Sequence, residues 1–205
     1  SLNYYIIAEG PLPHSIWATA LSSFGARLNL VLPVFGDLWL RGRSAWAGDR
    51  SWRGGWALTQ RERLRLRVNL DAIVGAIFGL GLDDFSEILR GCDHPANSHR
   101  EIAPMLEAKG FWRIDKALAP ELRHTVLSQV AYRELTGMIQ ENGGDRAQGI
   151  AQFLSQNNGE GWMLPETLRL SDYDLGHDDR ARQYQPVRDR LGPRFFDFQL
   201  EESVE

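Results

Sequence analysis

The sequence has a single cysteine, Cys92, and only two lysines, Lys109 and Lys116, among its 205 residues. One cysteine excludes a disulfide within the chain, which suits the reducing cytoplasm. Because no apolar run reaches about 18 residues, we expect no membrane span. No charged-then-apolar signal peptide opens the chain, and Ser1 is not an initiator methionine, so we expect a piece of a longer cytoplasmic protein.

Several catalytic motifs are also missing. The sequence contains no G-x-x-x-x-G-K-[ST] loop, no G-x-G-x-x-G after a strand and no G-x-S-x-G elbow, which are the motifs of nucleotide binding and of one hydrolase class. It also lacks an Asn-Pro-Pro-aromatic tetrapeptide, the element with which amino-methyltransferases hold a flipped adenine. We therefore predict no catalytic residue and no cofactor within this chain.

Two local clusters have a chemical and a structural interpretation. Cys92, Asp93, His94 and His99 are possible zinc ligands, but their spacing matches no standard structural zinc site, so a loop with polar capping residues is favoured and no metal is predicted. The sequence His177-Asp178-Asp179 resembles part of a hydrolase site only superficially. A turn whose acids pair with Arg180 and Arg182 is the favoured alternative.

The composition is that of a globular protein. Apolar residues make up 43% of the chain and charged residues 24%, with a net charge of −4, so the chain has enough apolar side chains for a core. The negative charge argues against a protein dedicated to coating nucleic acid, although it leaves room for a local basic face.

Hydrophobic periodicity predicts a mainly α, multi-helical domain with a short β or irregular N-terminal part and an irregular C-terminal tail. We assign an N-terminal part, which could be the end of a target-recognition region, to residues 1–56, a helical core domain to 57–160, and an Arg/Asp-rich segment that packs on the core to 161–205. Predicted elements are a β run over 3–9, a loop over 42–58, and helices over 14–29, 31–39, 59–80, 84–91, 99–109, 120–142 and 145–156.

The strongest predicted helix begins with a capping box, Thr59-x-x-Glu62, and ends at Gly79. Its apolar stripe consists of Leu66, Leu70, Ile73, Val74, Ile77 and Phe78. The next helix is capped by Asp84-x-x-Glu87, and its inward residues are predicted to be Phe85, Ile88 and Leu89.

Arginines and tryptophans are concentrated between Trp39 and Arg67. This stretch holds eight arginines and four tryptophans against only Asp49 and Glu62. Arginines neutralise phosphates and indole faces stack on bases, which favours nucleic-acid contact. The alternative is that the tryptophans, Trp39 and Trp56 in particular, anchor a core while the arginines form a solvated face. The predicted contact residues are Arg41, Arg43, Arg50, Trp52, Arg53, Arg61 and Arg63; Arg180 to Arg194 is a second basic stretch.

Three stretches carry a resemblance to a known family: RLRVNLDAIVGAIFGLGLDDFSEILR (65–90), GFWRIDKALAPELRHTVLSQVAYREL (110–135) and GWMLPETLRLSDYDLGHDDRARQYQPVRDRLGPRFFDFQL (161–200). Together they resemble the C-terminal region of large Class I adenine-specific DNA methyltransferases, found in type II restriction–modification and in BREX and DISARM phage defence. The shared elements are Leu70-Asp71-Ala72, Phe78-Gly79-Leu80, Asp83-Asp84 and Ile88-Leu89. This sequence departs from the family in having only a short polar loop over 91–98.

The resemblance implies a bacterial parent enzyme that uses S-adenosylmethionine to methylate adenine N6 at a specific double-stranded DNA sequence, with its catalytic motifs upstream of Ser1. The chain would then be an accessory region for DNA recognition or clamping. The alternative function is a protein-interaction module that docks other defence-system subunits without touching DNA. A free-standing hydrolase is the third hypothesis.

Overall fold

A computed structural model describes residues 15–46, 57, 59–93, 117–175 and 179–191. Within these ranges the chain forms six α-helices, five short 3₁₀ turns and one two-stranded ribbon. The prediction of a mainly α fold is confirmed. The predicted β run over 3–9 and the predicted helix over 99–109 lie outside the described residues.

The first two helices differ in how well the sequence predicted them. Helix α1 spans Ser15–Asn29, close to the predicted 14–29. The predicted helix over 31–39 is instead a 3₁₀ turn, Pro33–Phe35, followed by α2, Gly36–Trp46. Helix α2 therefore continues to Trp46, so the prediction of a loop over 42–58 is wrong for residues 42–46.

Helix α3, Gln60–Phe78, has both predicted ends. The Thr59 Oγ1 accepts a hydrogen bond from the Glu62 backbone N–H at 3.1 Å, which satisfies one of the free donors of the first turn. Gly79 closes the helix at φ 69°, a left-handed conformation that glycine adopts without a Cβ clash.

The buried face of α3 is rotated from the predicted stripe. Leu66 and Ile73 are fully buried, but Val74 is 39% exposed and Phe78 is 54% exposed, so their prediction as core residues was wrong. Polar side chains take the inward positions instead, namely Arg61, Arg65 and Asn69. Their spacing of four residues places them on one side of the helix.

Helix α4, Leu82–Asp93, begins two residues before the predicted start. The Asp84 carboxylate accepts a hydrogen bond from the Gly81 N–H at 3.3 Å. Phe85 and Leu89 are buried as predicted, whereas Ile88 is 56% exposed and was wrongly assigned to the core.

Helix α5, His124–Glu141, occupies the centre of the fold, where it packs against α3, α4 and α6. A 3₁₀ turn, Pro120–Leu122, precedes it. Helix α6 is assigned over Arg146–Gly159, and the Asp145 carboxylate caps it as predicted by accepting from the Gln148 N–H at 3.1 Å.

After α6 the chain continues as an irregular segment, which we call the C-terminal strap (161–175 and 179–191). It contains three 3₁₀ turns, Leu170–Tyr173, Asp179–Arg182 and Arg188–Arg190. Strands β1, Thr167–Leu168, and β2, Gln185–Pro186, pair antiparallel. The strap contributes buried side chains to the same hydrophobic core that includes Phe24 of α1. These are Trp162, Leu164, Leu168, Leu170, Leu175, Ala181 and Val187.

Candidate functional site

The arginine-rich segment begins on α2, which is mostly exposed. Leu38 is 49% exposed, Leu40 is 67% exposed and Arg41 faces solvent. Trp39 is 5% exposed and packs with Ala26 and Leu30 in a small apolar cluster separate from the main core. Trp39 therefore anchors α2 to α1, as the core alternative predicted for it, and leaves Arg41 available to a ligand.

Four of the seven predicted contact residues are only partly described or not described. Arg43 lies on α2, but its side chain is outside the described part of the structure. Arg50, Trp52 and Arg53 lie in the undescribed range 47–56. Their contact with nucleic acid stays a prediction.

Arg61 is buried, and Arg63 is hydrogen-bonded to the backbone of other parts of the chain. Arg61 is only 6% exposed. The Arg63 Nη1 donates to the carbonyl oxygens of Leu28 at 2.9 Å and Ala57 at 3.1 Å, so it links α1 to the chain just before α3. The contacts of Arg63 favour a role in holding α1 against the start of α3, and Arg61 is buried. We therefore leave both arginines out of the proposed interface.

A network of four charged side chains joins α1, α3 and the end of α6. The Glu62 carboxylate lies 2.6 Å from both Arg27 Nη2 and Arg65 Nη2. The Glu160 carboxylate lies 2.9 Å from Arg27 Nη1 and 2.7 Å from Arg65 Nη2. Burial alone would lower the pKa of the Arg65 guanidinium, but Glu62 and Glu160 raise it above its ordinary value, so Arg65 is a fixed structural cation.

The second basic stretch is also largely neutralised within the protein. Arg180 and Arg190 both donate to the carboxylate of Glu121, which is 1% exposed, and Arg188 pairs with Glu166. Although burial opposes it, the hydrogen bond from Arg190 and the nearby charges hold the pKa of Glu121 below its ordinary value. Arg180 and Arg190 thus bind the strap to the 3₁₀ turn before α5, and Arg188 is paired within the strap. These internal partners argue against the three arginines as phosphate contacts.

Glu134 on α5 is a partly buried carboxylate that accepts hydrogen bonds from two neutral donors of the strap. Its Oε2 accepts from the Trp162 Nε1 at 2.7 Å, and its Oε1 accepts from the Tyr173 hydroxyl at 3.3 Å. Burial raises the pKa of Glu134, and the hydrogen bonds from Trp162 and Tyr173 offset only part of that effect. The side chain therefore fixes the strap at an energetic cost when it is ionised.

The Leu-Asp-Ala element that carries part of the family resemblance joins the two central helices. The Asp71 Oδ2 lies 2.9 Å from the His124 Nε2 and accepts a hydrogen bond from the Ser128 hydroxyl at 3.3 Å. Ser128 is fully buried and donates to the aspartate rather than to the histidine. These contacts tether α3 to α5.

The described residues contain no group of three or more His, Cys, Asp and Glu side chains that could hold a metal ion. His94 and His99 of the candidate zinc loop, and His177 and Asp178 of the candidate hydrolase fragment, lie outside those residues. In the neighbouring turn, Arg182 pairs with Asp179 at 3.4 Å, whereas Arg180 pairs with Glu121 instead.

Exposed apolar side chains cluster in sequence at the junction of α1 and α2, a set we call the apolar turn. Val34 is 78% exposed, and Leu32 and Leu40 are exposed by more than half. Phe35 and Leu38 are also exposed. Such a concentration is unusual for a surface that meets only water.

Sequence reasoning missed most of the charged residues that organise the fold, namely Arg27, Arg65, Glu121, Glu134 and Glu160. It identified Glu62 only as part of a capping box and not as the partner of Arg27 and Arg65. One signal was present: Arg61, Arg65 and Asn69 recur every four residues, which marks a polar row on one face of α3. The carboxylates that pair with such a row come from distant parts of the chain, so the row alone does not show which way it faces.

Within the described ranges, no helix combines the length and the apolar content that crossing a membrane requires. In comparisons with protein-family models, curated proteins and solved structures, nothing matches this chain.

Proposed function

We propose that this chain is a non-catalytic accessory region of a cytoplasmic, S-adenosylmethionine-dependent adenine-N6 DNA methyltransferase of a restriction or phage-defence system. The sequence supports the family through the three stretches that resemble the C-terminal region of such enzymes. The catalytic motifs and the cofactor would belong to the parent protein, and this region would contact double-stranded DNA.

The observation that carries the DNA contact is the exposure of α2. Trp39 holds this helix to α1, while Arg41 faces solvent at the start of the arginine-rich segment. Because Arg61, Arg63 and Arg65 bind within the protein, the proposed interface is confined to Arg41, Arg43, Arg50, Trp52 and Arg53. Its arginines would neutralise phosphates, and Trp52 would stack on an exposed base or sugar.

The proposal is tested on the protein that contains this chain, by following transfer of a labelled methyl group from S-adenosylmethionine to duplex DNA. Replacing Arg41 and Arg43 with alanine should raise the KM for DNA severalfold with little change in kcat, since these contacts are made equally in the ground and transition states. Absence of adenine methylation would refute the family assignment. An unchanged KM would refute the DNA contact while leaving the family intact.

The apolar turn favours a second candidate function, docking of another protein subunit of the defence system. Val34 lies on the 3₁₀ turn before α2 and Leu38 lies in the first turn of α2. Both side chains are exposed, so they would be available to fill an apolar groove of a partner. Replacing both with serine should abolish co-purification of that subunit and leave the KM for DNA unchanged. If the double variant instead keeps the subunit and has a raised KM for DNA, the apolar turn contacts DNA.

A further inference from the structure

Two Asn-Gly pairs in the chain have very different surroundings. Asn142-Gly143 follows α5, and Asn158-Gly159 ends α6. Asn-Gly is the sequence in which an asparagine side chain cyclises most readily, because glycine has no side chain to hinder approach of its backbone nitrogen. Cyclisation requires the asparagine side chain and the next backbone nitrogen to move, so hydrogen bonds at each pair determine how readily it reacts.

The Asn142 side chain is held in place. Its Nδ2 donates to the Met138 carbonyl at 2.7 Å and to the Gln152 Oε1 at 2.6 Å. The Gly143 N–H, whose nitrogen would be the attacking atom, donates to the Gln140 carbonyl at 2.9 Å. Cyclisation at Asn142 therefore requires these hydrogen bonds to break first.

Asn158 lies in an exposed turn where regular helix has already ended. Gln156 has ψ 150°, and Asn157 and Asn158 have φ values of 52° and 60°. Two successive non-glycine residues in the left-handed region are strained relative to ordinary helix. Within the part of the chain that the structure describes, the Asn158 side chain is exposed and makes no hydrogen bond, ion pair or ring contact.

We propose that Asn158 is a site of spontaneous deamidation and isoaspartate formation, and that Asn142 is protected. The Gly159 backbone nitrogen attacks the Asn158 Cγ; the new N–C bond forms as the Cγ–Nδ2 bond breaks, and ammonia leaves with the amide proton. Water then opens the cyclic imide at either carbonyl, which yields aspartate or isoaspartate. No oxidant, reductant or metal takes part.

The modification would act on the junction between α6 and the strap. Glu160, two residues after Asn158, gives its backbone oxygen to Arg65 and its carboxylate to Arg27 and Arg65. The backbone of Trp162 is hydrogen-bonded to the Asn69 side chain. The Trp162 backbone N–H donates to the Asn69 Oδ1, and the Trp162 carbonyl accepts from the Asn69 Nδ2, both at 2.9 Å.

This junction has little room for a longer backbone. A Cβ placed on Gly161 would lie 2.5 Å from the Asn69 Oδ1, and Gly161 has φ 75°. Isoaspartate adds one carbon atom to the main chain, and either product adds a negative charge near Glu160. We therefore expect conversion at Asn158 to displace Glu160 and Trp162 from their partners.

The test is peptide mapping by mass spectrometry after the folded chain is held at mildly alkaline pH and physiological temperature. The peptide carrying Asn158 should gain about one dalton, with isoaspartate as the main product. Asn142 should react at least about tenfold more slowly, since an opening free energy of about 1.4 kcal/mol already reduces the reactive population tenfold. In urea, where the chain is unfolded, the deamidation rates at Asn142 and Asn158 should become similar.

A rate at Asn158 no faster than that at Asn142 in the folded chain would overturn the assignment. The Asn158→His variant is the matched control, because histidine tolerates the left-handed region and has no amide to lose. It should fold normally and gain no mass at this position. The separated isoaspartyl form should melt several degrees below the unconverted chain; an unchanged Tm would refute the effect on the junction.

Discussion

Arg65 Nη2 and Glu160 Oε2 lie 2.7 Å apart and join α3 to the residue that follows α6, 95 positions later in the chain. The Arg65 side chain is 3% exposed and that of Glu160 is 21% exposed. The pair thus connects the first half of the chain to the residue that precedes the strap, and it is reinforced by Glu62 and Arg27.

Replacing Arg65 with methionine should lower the free energy of unfolding by about 3 kcal/mol. The substitution keeps much of the side-chain volume but leaves Glu62 and Glu160 with one fewer cation in a largely buried place. Urea denaturation measures the change. Arg182→Met is the control: its pair with Asp179 is exposed, so the expected change is within about 0.5 kcal/mol.

Glu134 should give the protein a stability that declines as the pH rises from acid toward neutral. Burial raises the pKa of this carboxyl in the folded state. The folded protein therefore holds the proton more tightly than the unfolded chain, and the stabilisation is complete below the unfolded pKa and lost as the pH passes the folded pKa. The groups around it are Trp162 and Tyr173, with Asp172 and Arg133 acting on Tyr173.

The Glu134→Gln variant tests this relationship. Its amide oxygen can still accept from Trp162, but the side chain cannot ionise, so its stability relative to the parent protein should increase as the pH rises. Chemical denaturation across that pH range provides the comparison. Glu134→Ala, which leaves the Trp162 indole without its acceptor, should be less stable throughout; a constant difference between parent and glutamine variant would contradict the account.

Glu121 should show the opposite dependence on pH. Its pKa is lowered in the folded protein by Arg190 and Arg180, so its stabilisation is present above the unfolded pKa and is lost as the pH falls through the folded pKa. Glu121→Gln should cost about 1–2 kcal/mol at neutral pH, less than the roughly 3–5 kcal/mol for breaking a fully buried pair, because both arginines are partly exposed. That cost should shrink in acid, as followed by urea denaturation at several pH values.

The packing of α5 against α6 depends on Gly149. A Cβ at this position would lie 2.5 Å from the Ile139 Cγ1 and 2.7 Å from the Ile139 Cα. Since the second of these neighbours is backbone, Gly149→Ala should destabilise the protein by about 1–3 kcal/mol in a thermal or chemical melt. Gly137→Ala on α5, where a Cβ meets nothing within 4 Å, should be neutral or slightly stabilising.

The sequence predicted the helix ends better than the helix faces. A helix cap depends only on residues close together in the sequence. The predicted caps at Thr59, Gly79 and Asp145 are therefore all found in the structure. The orientation of α3 depends on distant partners: Glu160 and Trp162 allow Arg65 and Asn69 to point inward, and Val74 and Phe78 consequently face outward.

Dependence on partners that are distant in the sequence also limited prediction of the candidate site. Arg41 and Arg63 look alike in an arginine-rich stretch, and only the positions of the Leu28 and Ala57 carbonyls show that Arg63 binds within the protein. Local composition marked the segment correctly as basic but did not separate the arginines that bind the protein itself from Arg41, which faces solvent.

The most direct test of the DNA-contact proposal is fluorescence anisotropy of this chain with a labelled duplex over a series of salt concentrations. Binding should weaken steeply with salt, and replacing Arg41, Arg50 and Arg53 with alanine should lower both the affinity and the salt slope, by about 0.9 for each phosphate that is no longer neutralised. Arg182→Ala should change neither. Absence of binding at low salt, or an unchanged slope in the triple variant, would contradict DNA contact through this segment and favour docking of a protein subunit.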